Sequence, residues 1–120
     1  MSPSAANIPP EELNEIAAAV KPHSMVPPRG IVFAMQEVLN AIAGEVPGVV
    51  VECGTWRGGC SIAMLLAQKR LFGEVKRPVY MLDSFEGLPP AEPRDGKWAK
   101  AYQEQKLDPA WYFDNCRASL

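Results

Sequence analysis

The chain has 120 residues, 48% hydrophobic and 22% charged, with a formal net charge of −2. Those values suit one small soluble domain with a sizeable core and argue against a nucleic-acid surface. No apolar run approaches the roughly 20 residues that a bilayer requires, and the N-terminus has neither the basic nor the apolar region of a secretory signal, so a cytoplasmic setting is expected.

Met1–Ile8 is small and polar and reads as a fraying end. Pro9 and Pro10 open a first helix, with Glu11 and Glu12 beside its positive terminus. Leu13, Ile16, Ala17 and Val20 share one face, and Pro22 ends the helix. Lys21–Arg29 reads as a linker, and its lone histidine, His23, as a surface or capping residue. Pro27 and Pro28 open a second helix, whose stripe of Val32, Met35, Leu39 and Ile42 is expected to be core. Gly44 is a plausible C-cap, and Pro47-Gly48 turns the chain into a first strand.

The stretch from Val49 to Ser61 organises the rest. Val49, Val50 and Val51 form an unbroken apolar run, which suits a strand buried on both faces of a parallel sheet. Glu52 sits at its C-terminal tip, Gly54 ends it, and Gly58 and Gly59 precede a third helix. That helix is expected to turn Ile62, Leu65, Leu66 and Ala67 to the sheet, with Ala63 and Met64 covered from the other side. Lys69 and Arg70 complement its C-terminus, and Gly73 stops it. Pro78–Asp83 reads as a second short strand that also ends in a carboxylate, making a right-handed parallel strand–helix–strand unit. Beyond it, Gly87–Gly96 is a proline-rich loop at the ligand edge, acting as a lid or as a plain surface excursion. Lys97–Lys106 reads as a short, weakly amphipathic helix with Trp98 and Tyr102 on one side. Asp108-Pro109 opens a last helix with Phe113, Cys116 and Leu120 on one face.

A strand, a glycine turn and a helix in that order bring backbone N–H groups and a helix N-terminus to one ligand. The turn is not a dinucleotide fingerprint, because Trp56 follows Thr55 where the middle glycine belongs. It is not a P-loop, because Cys60 stands where the lysine must be, although Gly54, Gly59 and Ser61 fit the frame. An acidic strand end followed by glycine suits a ligand with an amine and ribose hydroxyls, such as S-adenosylmethionine, and an acid on the second strand, here Asp83, accepts from ribose hydroxyls. The plain alternative is a tight strand–helix turn without a ligand. Trp56 reads as packing under the loop and Arg57 as a partner for Glu52 or Asp83. Cys53, Cys60 and Cys116 have no C-x-x-C spacing and read as buried free thiols in a reducing compartment, with no zinc site. A nucleophilic Cys60 would need His23 as its base.

Val51-Glu-Cys-Gly-Thr-Trp-Arg-Gly-Gly59 and Asp83-Ser-Phe-Glu-Gly-Leu-Pro89 resemble the two N-terminal motifs of the macrocin O-methyltransferase family, and His23-Ser-Met25 resembles the approach to its first strand. The resemblance covers roughly residues 20 to 90. It implies a Rossmann-like α/β fold and an S-adenosylmethionine-dependent, metal-assisted methyl transfer to a sugar hydroxyl of a macrolide or related natural product. The candidate cofactor-binding residues are Glu52, Gly54, Thr55, Gly58, Gly59, Asp83, Ser84 and Phe85, with Ser24 and Met25 bordering the cofactor by resemblance. Mg2+ is implied by the family, but its ligands, like the general base, would lie on later strands, and no catalytic residue is assigned.

The expectation is therefore a single domain. Residues 1–46 form a helical N-terminal segment, and residues 47–120 form the cofactor-binding unit and the start of the next helix. With two readable strands the sheet is incomplete, so the chain is expected to be part of a longer enzyme, inactive alone and prone to homo-oligomerise through its open edges. The alternative is a non-catalytic interaction module that retains the same scaffold. The expected partner is a small glycosylated molecule, not nucleic acid or membrane.

Overall fold

Proline fixes φ and lacks an N–H, so it is best tolerated where a helix begins. Two helices here start that way in the computed structural model, which describes residues 7–86 and 89–105. Pro9 caps α1, Pro10–Val20, and Pro27 caps α2, Pro28–Ala43. Between them the chain tightens into one 3-10 turn, Lys21–His23, so α1 passes into this turn before the linker begins. β1, Val50–Cys53, leads to α3, Gly59–Phe72, and then to β2, Val79–Leu82. A second 3-10 turn, Pro93–Asp95, precedes α4, Gly96–Gln105. The helix expected from Asp108 onward lies outside the described residues.

The core forms where α1, α2 and α3 meet. Leu13, Ala17 and Val20 of α1, Ile31, Met35 and Leu39 of α2, and Ala63 and Ala67 of α3 are all buried there. Ile31 and Met35 are fully buried, each contributing about 1.5–3 kcal/mol of hydrophobic stabilisation. Ile8 belongs to the same cluster at 5% exposure, so the N-terminal stretch is anchored at that residue and does not fray there.

Two expected faces are rotated. In α2 the buried set is Ile31, Met35, Val38 and Leu39, with Val32 and Ile42 only partly covered. The reason is that α2 contacts two clusters: Ile31, Met35 and Leu39 meet α1 and α3, while Val38 packs with Cys60 and Met64 beneath the sheet. In α3 the buried apolar side chains are Cys60, Ala63, Met64 and Ala67, whereas Leu66 is exposed. Ala63 and Ala67 lie fully buried in the cluster shared with α1 and α2, a densely packed place where small side chains fit.

β1 and β2 pair in parallel, Val50 opposite Val79 and Cys53 opposite Leu82. Val50 and Val79 pack on Val38, Cys60 and Met64. The opposite face carries Val51, Tyr80 and Leu82, which are 49%, 53% and 56% exposed. The expected burial on both faces is thus corrected: β1 alternates, because among the described residues the helices cover one side only. Val49 precedes the strand and is itself exposed.

One polar residue holds the return to the sheet. Gln68 of α3 is fully buried. Its Nε2 donates to the Arg77 carbonyl at 3.0 Å, and its Oε1 accepts the Arg77 N–H at 2.8 Å. Both ends of a buried amide are thereby satisfied, and the backbone just before β2 is tied to the helix.

Candidate functional site

The C-terminal ends of the two strands and the start of α3 form one hydrogen-bonded cluster. The Gly54 N–H donates to the Leu82 carbonyl at 2.8 Å and carries the ladder one residue past β1. The chain then turns through buried Thr55 and through Trp56, whose φ of 48° is left-handed. The Gly58 N–H closes the turn on the Thr55 carbonyl at 2.8 Å. Gly58 is the N-cap of α3 at φ 84°, a conformation that favours glycine.

Gly59 is glycine for a different reason. A Cβ there would lie 2.6 Å from the His23 carbonyl oxygen and 2.8 Å from Ser24 Cβ. The linker therefore rests directly on the first turn of α3. Ser24 is buried, its Oγ accepts the Val26 N–H at 3.1 Å, and its carbonyl accepts from Lys21 Nζ at 3.0 Å. Of the two linker residues expected near the cofactor, Ser24 touches this helix start, while Met25 is 58% exposed.

The two carboxylates occupy different environments. Glu52 is half-buried and accepts from the Ser61 hydroxyl and the Ser61 backbone N–H. A strand-end acid thus caps a helix whose own N-cap residue has no side chain to do so. Burial pushes the Glu52 carboxyl above its usual range, the nearby Asp83 charge adds to this, and the Ser61 contacts offset it in part. Asp83 is more open, and backbone donors from Phe85, Thr55 and Trp56 hold its carboxyl below the usual range. Asp83 Oδ2 accepts the Thr55 N–H at 2.8 Å, the Trp56 N–H at 3.3 Å and the Thr55 hydroxyl at 3.4 Å. Its Oδ1 accepts the Phe85 N–H at 3.0 Å, with the Ser84 hydroxyl at 3.5 Å. Ser84 Oγ also accepts the Glu86 N–H, and Phe85 is left 52% exposed at φ 56°.

Arg57 pairs with neither carboxylate: its guanidinium lies 4.8 Å from the centroid of the Trp56 ring. The Trp56 Nε1 is buried without a hydrogen-bond partner among the described residues. Cys60 is buried, and burial, then the Glu52 charge, push its thiol up, which is the opposite of nucleophile activation. Cys53, expected to be buried, is exposed because it lies on the uncovered face of the sheet. Among the described residues no group of three His, Cys, Asp or Glu side chains is placed to hold a metal ion. None of their helices is long and apolar enough to cross a membrane.

The structure thus gathers Glu52, Gly54, Thr55, Gly58, Gly59, Asp83, Ser84 and Phe85 at one edge, with Ser24 against the helix start. Two participants of the site and one polar residue of the core were not foreseen. Ser61 was read only as part of a failed P-loop frame, although serine in the first turn of a helix is a recognisable donor to a nearby acid. The left-handed Trp56 carries no sequence signal, since tryptophan rarely adopts that backbone. Gln68 is a polar residue in an apolar helix, and that oddity was the available clue.

A parallel strand–turn–helix–strand with an acid at each strand tip defines an incomplete Rossmann-like α/β unit of the kind that binds ligands at its strand ends. The sequence matches the macrocin O-methyltransferase family (TylF) over residues 19–112, and the chain belongs to that family. It is 43% identical over 67 residues to the 8-demethyl-8-(2,3-dimethoxy-alpha-L-rhamnosyl)-tetracenomycin-C 4'-O-methyltransferase of Streptomyces olivaceus. It is 37% identical over 67 residues to the demethyldecarbamoylnovobiocin O-methyltransferase of Streptomyces niveus. Each match takes in 56% of this chain and 25% of the relative, so the chain aligns with about a quarter of each protein.

Proposed function

We propose that this chain supplies the cofactor-binding half of an S-adenosylmethionine-dependent O-methyltransferase that acts on a sugar hydroxyl of a macrolide or related natural product. The observation that carries the reading is the placement of Glu52 and Asp83 at the tips of adjacent parallel strands, on either side of one glycine turn. The fit to the cofactor is chemical. Glu52 is a carboxylate close to the amides of a helix start, suited to an ammonium group. Asp83 Oδ1 holds the Ser84 hydroxyl only at 3.5 Å, so a ribose hydroxyl can replace it. Thr55, Gly58 and Gly59 shape the turn, Ser24 rests on the helix start, Ser84 and Phe85 follow Asp83, and Met25 is included by its resemblance to the family alone. One relative acts, by its name, on a rhamnosylated tetracenomycin, which supports a glycosylated acceptor. The family implies Mg2+, but among the described residues no group of three His, Cys, Asp or Glu side chains is placed to hold it.

Titration calorimetry of the 120-residue chain with S-adenosylmethionine tests the reading. Saturable binding that weakens by about 2–3 kcal/mol in Asp83→Ala is expected, the value of a pair of charged hydrogen bonds. Absence of binding by the wild-type chain would leave the interaction-module reading in its place.

A further inference from the structure

Thr55 and Trp56 present their backbone N–H groups to the inside of the turn, and among the described residues Asp83 Oδ2 is the acceptor of both. Neither amide belongs to a helix or strand, so no regular ladder holds them. The turn also contains a non-glycine residue in the left-handed region, Trp56, a conformation that needs an external grip to persist. On the other side of the same carboxylate, Oδ1 takes the Phe85 N–H and so fixes the start of the segment after β2.

We infer that Asp83 is a positioning residue as well as a ligand contact: its Oδ2 clasps the 55–56 turn and sets the shape that an incoming cofactor meets. The inference rests on the cofactor reading for the identity of the ligand alone. One carboxylate divides its work between two oxygens, Oδ2 inward to the turn and Oδ1 outward along the strand edge. The clasp also joins the two halves of the unit, because Thr55 follows β1 and Asp83 follows β2 across a sequence separation of 28. A turn ordered in advance lowers the entropy lost on binding. The lowered carboxyl of Asp83 is consistent with this, its backbone donors being Phe85, Thr55 and Trp56.

Asp83→Asn is the discriminating change. It keeps the shape but leaves one oxygen, so an NH2 group must face either Phe85 or the turn, donor against donor. Amide hydrogen exchange is measured by NMR on the ligand-free chain, wild type and variant, at fixed pH. The wild-type Thr55 and Trp56 amides are expected to be protected although they lie in a loop. In Asp83→Asn, exchange at Thr55 and Trp56, or at Phe85, should accelerate roughly tenfold to a hundredfold, with amides of α2 unchanged. Saturating S-adenosylmethionine should restore protection in the variant, which a purely structural role would not produce. Unprotected Thr55 and Trp56 amides in the wild-type chain overturn the clasp, and this arm stands even if the variant does not fold. Lack of cofactor binding with protected wild-type amides would refute the cofactor reading and leave the clasp intact.

Discussion

Replacing Gly59 by alanine should destabilise the fold, although the same exchange inside most helices stabilises them by about 0.5–1 kcal/mol. The reason is space. The new Cβ would meet the His23 carbonyl oxygen at 2.6 Å, its carbonyl carbon at 2.7 Å and Ser24 Cβ at 2.8 Å. Two of those atoms are backbone, so no flexible side chain can swing aside. Restoring an ordinary separation of 3.4 Å requires the linker or the helix to retreat by about 0.8 Å. Such overpacking costs about 1–3 kcal/mol and outweighs the propensity gain. Thermal unfolding followed by circular dichroism is the assay, with an expected fall of about 4–8 °C per kcal/mol for a domain of this size. Gly58 provides the internal control. A Cβ there meets only Met81 Sδ at 3.6 Å, an ordinary contact, so Gly58→Ala should lose about 1–2 kcal/mol through its φ of 84°. Asparagine tolerates that backbone, so Gly58→Asn should recover part of the loss, whereas Gly59→Asn should be worse than Gly59→Ala. A Gly59→Ala chain that melts at or above the wild-type temperature would refute the steric argument.

Two further outcomes follow from the core and the sheet. Gln68→Leu should cost about 1–3 kcal/mol in urea unfolding, because it strands the Arg77 N–H and carbonyl in a partly buried place; unchanged stability would show that water satisfies them equally well. The exposed face of Val51, Tyr80 and Leu82, beside strands with unpaired edges among the described residues, should drive self-association, and sedimentation showing a monomer at every concentration would count against it.

Much of the fold was legible because its signals are local. Pro9, Pro10, Pro27 and Pro28 mark two helix starts, Gly44 and Gly73 mark two ends, and the acid at each strand tip marks the ligand edge. What failed was whatever depended on neighbours. The run Val49–Val51 carries no record of whether one face or both are covered, and Val51 is exposed because, among the described residues, helices pack on one side only. In α3 the expected burial of Ala63, Met64 and Ala67 holds, but Leu66 is exposed, and Ala67 packs on α1 and α2 while Met64 packs with the sheet, because the pattern does not say which neighbour each side meets. At the site, Glu52 and Asp83 were found as acids at strand ends. Their protein donors were not, since Ser61, Thr55 and Trp56 reach them only after the turn has closed.

The grip of Gln68 on Arg77 takes hold of the residue's backbone N–H and carbonyl and ignores the side chain. Residue identity at that position is thereby freed: any amino acid with an N–H can occupy it, and proline alone cannot. Past the left-handed Gly73 that caps the helix, Glu74 to Lys76 have only to bring the N–H and carbonyl of Arg77 to Gln68. The three residues from Glu74 to Lys76 are thus a spacer whose composition can drift while the register of Val79 against Val50 stays untouched.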